Sequence, residues 1–367
     1  MPRGGTPLPL RVRVLEPGER ATAADLWQEV EEAHGEAPLA VSWRWTETWL
    51  RHYGESVEHR FLVLHDAAAP VAAALVTCDR ILARRVPLRR AHVGTAGEPE
   101  GASVVVERNA LLALPHAREA AAATLAGWLR AAGRHDELVL EGFVPEDAEL
   151  LARHEPGLEL ERRASPVTAL AAGEDVLGTL RSGPRRRVRQ SLRAFGELQA
   201  EWVEDPARAP AVMGELIALH QARWRAAGER GAFADCRFRA FHRAAVARLL
   251  PGGEAILFRV TTAGGATVGC LLSYVDRGRV LFYQSGLGAF EHSAQRPGLA
   301  VHALCMQACA DRGLHTYDFL AGESRYKREL ATGEDELVWA SAPRGTPRGR
   351  VLRAVRRHRR EPGPPAE

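Results

Sequence analysis

Asp318, Glu323, Tyr326 and Lys327 fall within ten residues of one another. Between them they supply a group that can accept a proton, a phenol that can give one, and an ammonium. Lys327 is singular: of the 49 Lys and Arg residues it is the only lysine, the rest being arginine. A lysine kept in such a chain suggests work that arginine does not do, because its ammonium is compact, rotatable and open to a pKa shift. Asp318 lies inside the aromatic and β-branched run His315 to Leu320, which reads as a short buried strand. Alternation puts His315, Tyr317 and Phe319 on one face and Asp318 and Leu320 on the other. A carboxylate there is costly unless paired. It is either a general base, with Glu323 the second choice, or an ion-pair partner of Lys327 or an arginine, which would lock the turn and make it a poor base.

The elements that must position these groups lie just upstream. Strands are expected at Ile256–Thr261, Thr267–Val275 and Val280–Ser285, a helix opens at Pro297, and Gly313 closes it before the strand at Tyr317. Gly322 opens a turn carrying Glu323, Tyr326 and Lys327. The third strand carries Tyr283, an alternative acid, and Gln284, a candidate substrate contact. Between it and the helix stand Gln295, Arg296, Pro297, Gly298, Leu299 and Ala300. A glycine and a small residue at a helix start leave backbone N–H groups and a favourable dipole that suit a pyrophosphate. Farther upstream, a helix over Met213–Ala227 places His220, Arg223 and Trp224 at three- and four-residue spacing, as substrate contacts or as an arginine stacked on tryptophan.

The first half follows the same order. A strand at Leu10–Leu15 precedes a helix over Ala23–Ala33 capped by Thr22, and Ser42 caps a second helix bearing Trp43, Trp45 and Trp49. These tryptophans fit core packing better than a substrate wall. Strands are expected at Phe61–His65, Val71–Thr77 and Val86–Val93, a helix from Pro115 through Ala132 ended by Gly133, and a strand over Glu137–Gly142. The pairs Gly133/Gly142 and Gly313/Gly322 share a nine-residue separation. The pattern implies two related α/β (α+β) domains, mixed sheets flanked by helices, at 1–170 and 171–343, with a basic tail over 344–367. Leu138 stands where Asp318 stands and the tyrosine and lysine turn has no first-half counterpart, so the second domain is expected to carry the chemistry.

Composition narrows the partners. Net charge is only +3, with 46 acidic residues among the basic ones, which argues against a nucleic-acid binder as a whole. The arginines between Arg181 and Arg193 could meet RNA or phosphate, yet no aromatic residues interleave with them to stack on bases. The arginines of Arg344–Arg360 could touch an anionic partner or a membrane surface, or form a solvated tail. Five cysteines without CxxC spacing read as reduced packing residues, and no metal site is expected. No stretch approaches the roughly 20 apolar residues of a membrane span and the start lacks an apolar signal core, so a cytoplasmic protein is expected.

The order of strand, Gln295 to Ala300 loop, helix and strand resembles the GNAT acyltransferase fold, whose phosphate loop reads Q/R-x-x-G-x-G/A; Gln295, Gly298 and Ala300 match it. The ending Tyr317 to Glu323, Tyr326 and Lys327, with His220, Arg223, Trp224, Gly228, Gly231 and Phe233, is similar to acetyltransferases of the cellulose-biosynthesis CelD type, relatives of the Fem peptidyltransferases. The resemblance covers residues 175 to 340 well and the first half in outline. It implies two tandem GNAT-like acyltransferase domains, with Gln295, Arg296, Gly298, Leu299 and Ala300 holding acetyl-CoA or another acyl-CoA. Acyl transfer to an amine or hydroxyl then takes Asp318 or Glu323 as base, Lys327 as anchor or oxyanion charge, and Tyr326 or Tyr283 as acid. The acceptor would be a small molecule or a glycan or peptide precursor of the envelope or exopolysaccharide. The alternatives are a Fem-like enzyme using aminoacyl-tRNA, the one reading that requires nucleic acid, and a non-catalytic scaffold in polysaccharide synthesis.

Overall fold

The computed structural model describes residues 10–83, 86–104, 107–132, 135–322 and 324–360, with side chains through Arg353. Two compact units emerge, residues 1–162 together with 337–367, and residues 163–336.

The first half of the chain runs β1 (Arg11–Leu15), α1 (Arg20–His34), α2 (Trp43–Tyr53), β2 (Glu58–His65), β3 (Pro70–Ala83), β4 (Val86–Val93), β5 (Leu112–Ala113), α3 (Arg118–Ala131), β6 (Glu137–Phe143), α4 (Pro145–His154) and β7 (Glu159–Ala169). After α5 (Val176–Thr179) and α6 (Ser182–Phe195) the order returns as β8 (Leu198–Trp202), α7 (Ala209–Ala226), α8 (Cys236–Leu249), β9 (Ala255–Thr262), β10 (Thr267–Asp276), β11 (Arg279–Leu287), α9 (Pro297–Asp311), β12 (Thr316–Asp318), α10 (Arg325–Leu330) and β13 (Gly333–Pro343). A last helix, α11 (Pro347–Arg360), follows. Setting aside the two-residue β5, both halves share one order: strand, two helices, three strands, helix, strand, helix, strand.

In the first unit β1, β2, β3 and β4 form an antiparallel meander, β6 joins β4 in parallel, and Val338–Pro343 of β13 closes the sheet against β6. In the second unit β8, β9, β10 and β11 are antiparallel, β12 joins β11 in parallel, and Val167–Ala169 of β7 closes against β12. The closing strands come from opposite halves of the chain. β7 was not legible in the sequence because Glu159–Arg163 is a polar run; β13, α4 and the arginine-rich α8 were missed as well.

Local chemistry explains the helix starts. Ser42 accepts from Trp45 N–H, as a cap should, whereas Thr22 lies inside α1. The chain instead enters α1 through a 3₁₀ turn at Pro17–Glu19, where Glu16 and Glu19 form a reciprocal capping box. Trp45 and Trp49 are fully buried core residues, their indole N–H groups donating to Thr95 and Glu98. Gly133 lies outside the described residues. The strand expected over His315–Leu320 is only three residues long, and the turn after Gly322 is the helix α10 rather than a loop. Cys270, Cys305 and Cys309 are buried as free thiols. Among the described residues no helix is long and apolar enough to cross a membrane.

Candidate active site

β11 pairs with β10 out to Leu287, but with β12 only over Arg279–Leu281 against Thr316–Asp318. β12 stops because the chain turns through two left-handed residues, Leu320 at φ 59° and Gly322 at φ 105°. Beyond Leu281 the sheet therefore opens, and a cleft of about 710 Å³ lies there. Its walls are Ser285, Leu287 and Gly288 at the end of β11, Arg296 to Leu299 at the start of α9, His302, Tyr326, and the Leu219, Ala222, Arg223 and Ala226 face of α7.

A bulge decides which side chains of β11 face this cleft. Leu272 pairs with Gln284 and Ser273 with Phe282, leaving Tyr283 as the extra residue. The bulge resets the alternation. Phe282 meets His302 of α9 at 4.5 Å, and Ser285 and Leu287 line the cleft. Tyr283 turns the other way, into a ring cluster with Phe238, His242 and Tyr274, and Gln284 hydrogen bonds His220.

The start of α9 is fixed from behind. Arg296 N–H donates to Ser191 Oγ at 2.9 Å, Ser191 Oγ donates to the Arg296 carbonyl at 3.0 Å, and Gln295 Nε2 donates to the Ala194 carbonyl at 3.2 Å. Pro297 occupies the first helical turn, where its missing N–H costs nothing. The N–H groups of Gly298 and Leu299 lie in that turn and have no carbonyl one turn back within the helix. Of the five residues expected to hold a cofactor, Arg296, Gly298 and Leu299 line the cleft, Gln295 anchors the loop to α6, and Ala300 is buried behind it.

One turn into α9, His302 is buried with Nδ1 3.0 Å from the Tyr317 hydroxyl. Burial, aided by the charge of Lys327, pushes its pKa down to about 3, so the imidazole is neutral. Tyr326 stacks on it with ring centroids 5.3 Å apart, and burial pushes the phenol up to about 12. Sequence reasoning overlooked His302. The signal was present, as the one basic side chain in the mainly apolar sequence of α9.

Asp318 is fully buried and does not line the cleft. Its Oδ2 accepts from Arg279 Nη1 at 2.9 Å, and its Oδ1 accepts from Ser165 Oγ at 2.6 Å and Leu320 N–H at 2.9 Å. Arg279 also pairs with Asp335 at 2.8 Å. Lys327 Nζ donates to the carbonyls of Leu320 at 3.2 Å and Ala321 at 2.8 Å. Glu323 lies outside the described residues. The α7 trio divides: Arg223 faces the cleft, while His220 packs on Phe233 at 4.9 Å and Trp224 at 5.9 Å, its pKa lowered by burial. Gly231, at φ 70°, passes so close that a Cβ would stand 2.9 Å from Trp224 Cβ. Among the described residues no His, Cys, Asp and Glu cluster could hold a metal ion.

Residues 182–328 match the acetyltransferase (GNAT) domain family. The structure resembles that of FemX, at 12% identity and a TM-score of 0.59 over 89% of this chain and 96% of that one. It also resembles L-PGS from Bacillus licheniformis, at 9% and 0.54 over 90% and 96%. A tandem GNAT protein from the clavulanic acid biosynthesis pathway aligns at 14% and 0.50 over 92% and 99%. No curated protein matches the sequence significantly. At such identities the structural likeness is one of fold. That fold is a tandem GNAT-like arrangement of mixed sheets flanked by helices, with the GNAT domain match in the second unit.

Proposed function

We propose that the second unit transfers an acyl group from an acyl-CoA thioester to an amine or hydroxyl acceptor. The observation that carries this reading is that the start of α9 and the edge of β11 beyond its pairing with β12 face one cleft of about 710 Å³. Gly298 and Leu299 N–H groups, with the helix dipole, suit the donor's pyrophosphate, and Arg296 and Arg223 add charge. Gly298 keeps the approach open; a Cβ there would make ordinary contact with Leu287 at 3.4 Å, but a large side chain would fill the mouth. Backbone groups of β11 past Leu281 are placed to bind the donor's amide chain and thioester oxygen.

Tyr326 remains protonated at neutral pH and donates its proton to the departing thiolate as the acyl carbon–sulfur bond breaks. His302 holds that ring by stacking and excludes water from behind it. Asp318 and Lys327 act here as positioning residues, since their charges already hold the Leu320 turn. Glu323, the second choice for general base in the sequence, is the proposed base. The likeness to the cellulose-biosynthesis type suggests an envelope or exopolysaccharide precursor as acceptor.

Titration of the full chain with acetyl-CoA and longer acyl-CoAs, followed by thiol release with candidate acceptors, tests this reading. Saturable binding that Gly298→Trp abolishes supports it. The fold likeness to FemX, with the arginines of α6, favours one second reading, the Fem-like one, in which aminoacyl-tRNA is the donor. Transfer from aminoacyl-tRNA with no acyl-CoA binding would establish that alternative.

A further inference from the structure

The arginine-rich C-terminal segment contains eight arginines and no acidic residue between Arg344 and Arg360, and the acyl-transfer reading leaves it without a role. Its start packs against the β4–β6 side of its own unit. Asp136 accepts from Arg89 N–H through Oδ2 at 3.0 Å and from Thr346 Oγ1 through Oδ1 at 2.8 Å, and its carbonyl accepts from Arg344 N–H at 2.8 Å. Gly349 permits this approach, because a Cβ there would stand 2.3 Å from the Arg344 carbonyl oxygen and 2.8 Å from that of Asp136. A side chain at 349 would therefore lift α11 away.

The docked helix completes a pocket of about 450 Å³ lined by Arg80, Pro87, Leu88, Arg89, His135, Asp136, Thr346 and Arg348. Its charges are three arginines against one carboxylate, and both oxygens of that carboxylate already accept hydrogen bonds. Arg89 also pairs with Glu58, yet its Nε is buried without a hydrogen-bond partner. Arg80 and Arg348 have no ion-pair partner among the described residues. Burial first, then the charges of Arg344 and Arg89, holds His135 down to about 4, so it adds no charge of its own.

Apolar side chains flank the pocket where a soluble surface would ordinarily be polar. Arg80 pairs across the hairpin with Arg89 and Leu82 with Pro87, so all four share the face that borders the pocket. Leu82 is 70% exposed, the most exposed large apolar residue described, and Val351, 48% exposed, lies one turn beyond Arg348 on α11. Two of the four exposed large apolar residues described thus lie beside residues that line the pocket, Leu82 opposite Pro87 and Val351 three positions after Arg348. An apolar tip beside arginines matches a surface that presents phosphate above hydrocarbon.

We propose that this face docks the protein on an anionic phospholipid surface, with a headgroup phosphate seated among Arg80, Arg89 and Arg348 and with Leu82 and Val351 entering the acyl boundary. The site is separate from the α9 cleft and stands whether or not the donor there is acyl-CoA.

The test is co-sedimentation of the full chain with vesicles of phosphatidylglycerol and phosphatidylcholine, beside phosphatidylcholine alone, with calorimetric titration of inorganic phosphate as the soluble arm. Binding confined to the anionic vesicles is expected, falling steeply with salt. Arg80→Glu with Arg348→Glu should weaken it at least about tenfold. Leu82→Asp, at an exposed position that folding does not need, should weaken it several-fold even where salt has screened the charges. Gly349→Leu retains every charge but separates α11 from Asp136, and it too should weaken binding. Unchanged vesicle binding in these variants overturns the proposal, as does equal binding to neutral vesicles. Saturable phosphate or RNA binding without vesicle binding overturns the lipid assignment.

Discussion

Asp318 and Lys327 grip the same residue from opposite sides: the carboxylate accepts from Leu320 N–H, and the ammonium donates to the Leu320 carbonyl. Leu320 is left-handed at φ 59°, a conformation that costs a non-glycine residue roughly 1–2 kcal/mol. Two charge-assisted bonds offset that cost. The lone lysine has a physical reason here, since the carbonyls of Leu320 and Ala321 converge on one compact ammonium, which the planar fork of arginine does not match. This turn ends β12, and the end of β12 opens the cleft.

Lys327→Met should therefore destabilise the protein by about 1–3 kcal/mol, read as a lowered urea midpoint, and slow turnover by displacing Tyr326. Turnover lost with no change in the urea midpoint would instead make the lysine charge part of the chemistry.

Asp318→Asn leaves Arg279 and Ser165 facing an amide at a fully buried position. Losing one side of a buried ion pair costs about 3–5 kcal/mol, so this variant should be the least stable of the set in a chemical melt. Near-native stability would mean that the carboxylate is not the lock of the turn.

Tyr326→Phe removes only the phenol oxygen and keeps the ring on His302. If that hydroxyl protonates the leaving thiolate, kcat should fall about 100-fold or more while acyl-CoA affinity and melting temperature hold. An unaffected kcat would exclude it as the acid.

Gly286 lies beneath α7, where a Cβ would stand 2.3 Å from the Leu216 carbonyl oxygen. Backbone at that distance must move, so Gly286→Ala should lift α7 from β11 and reduce both stability and donor affinity. Normal donor affinity in this variant would separate the α7 wall from the binding site.

Two histidines should give opposite pH signatures. Burial disfavours charge on His92, but the carboxylates of Asp79 and Glu141 at 3.4 and 3.5 Å outweigh it and raise its pKa from 6.5 to about 9. Its contribution is complete below pH 6.5 and is lost as pH rises through 9. His302, depressed to about 3, is neutral when folded and would gain a proton on unfolding below pH 6.5, so its contribution is lost as pH falls from 6.5 toward 3. Melting curves across pH should lose the alkaline slope in His92→Asn and part of the acid slope in His302→Asn. Unaltered slopes would contradict these assignments.

Signals carried by adjacent residues were legible from the sequence alone. Pro297 at the first turn of α9, Ser42 capping α2, the strand runs of both halves and the repeated element order all follow from backbone preferences and side chains within a few positions. The fold class rests on those. Only the folded chain decided which side chains meet. The bulge at Tyr283 turned Tyr283 and Gln284 away from the cleft and brought Ser285 and Leu287 into it, because one extra residue resets every later position on a strand. Asp318 took its arginine from 39 residues upstream and its serine from 153, and closing strands came from opposite halves of the chain. A buried charge must find partners wherever the fold supplies them, and spacing along the chain carries no record of that search.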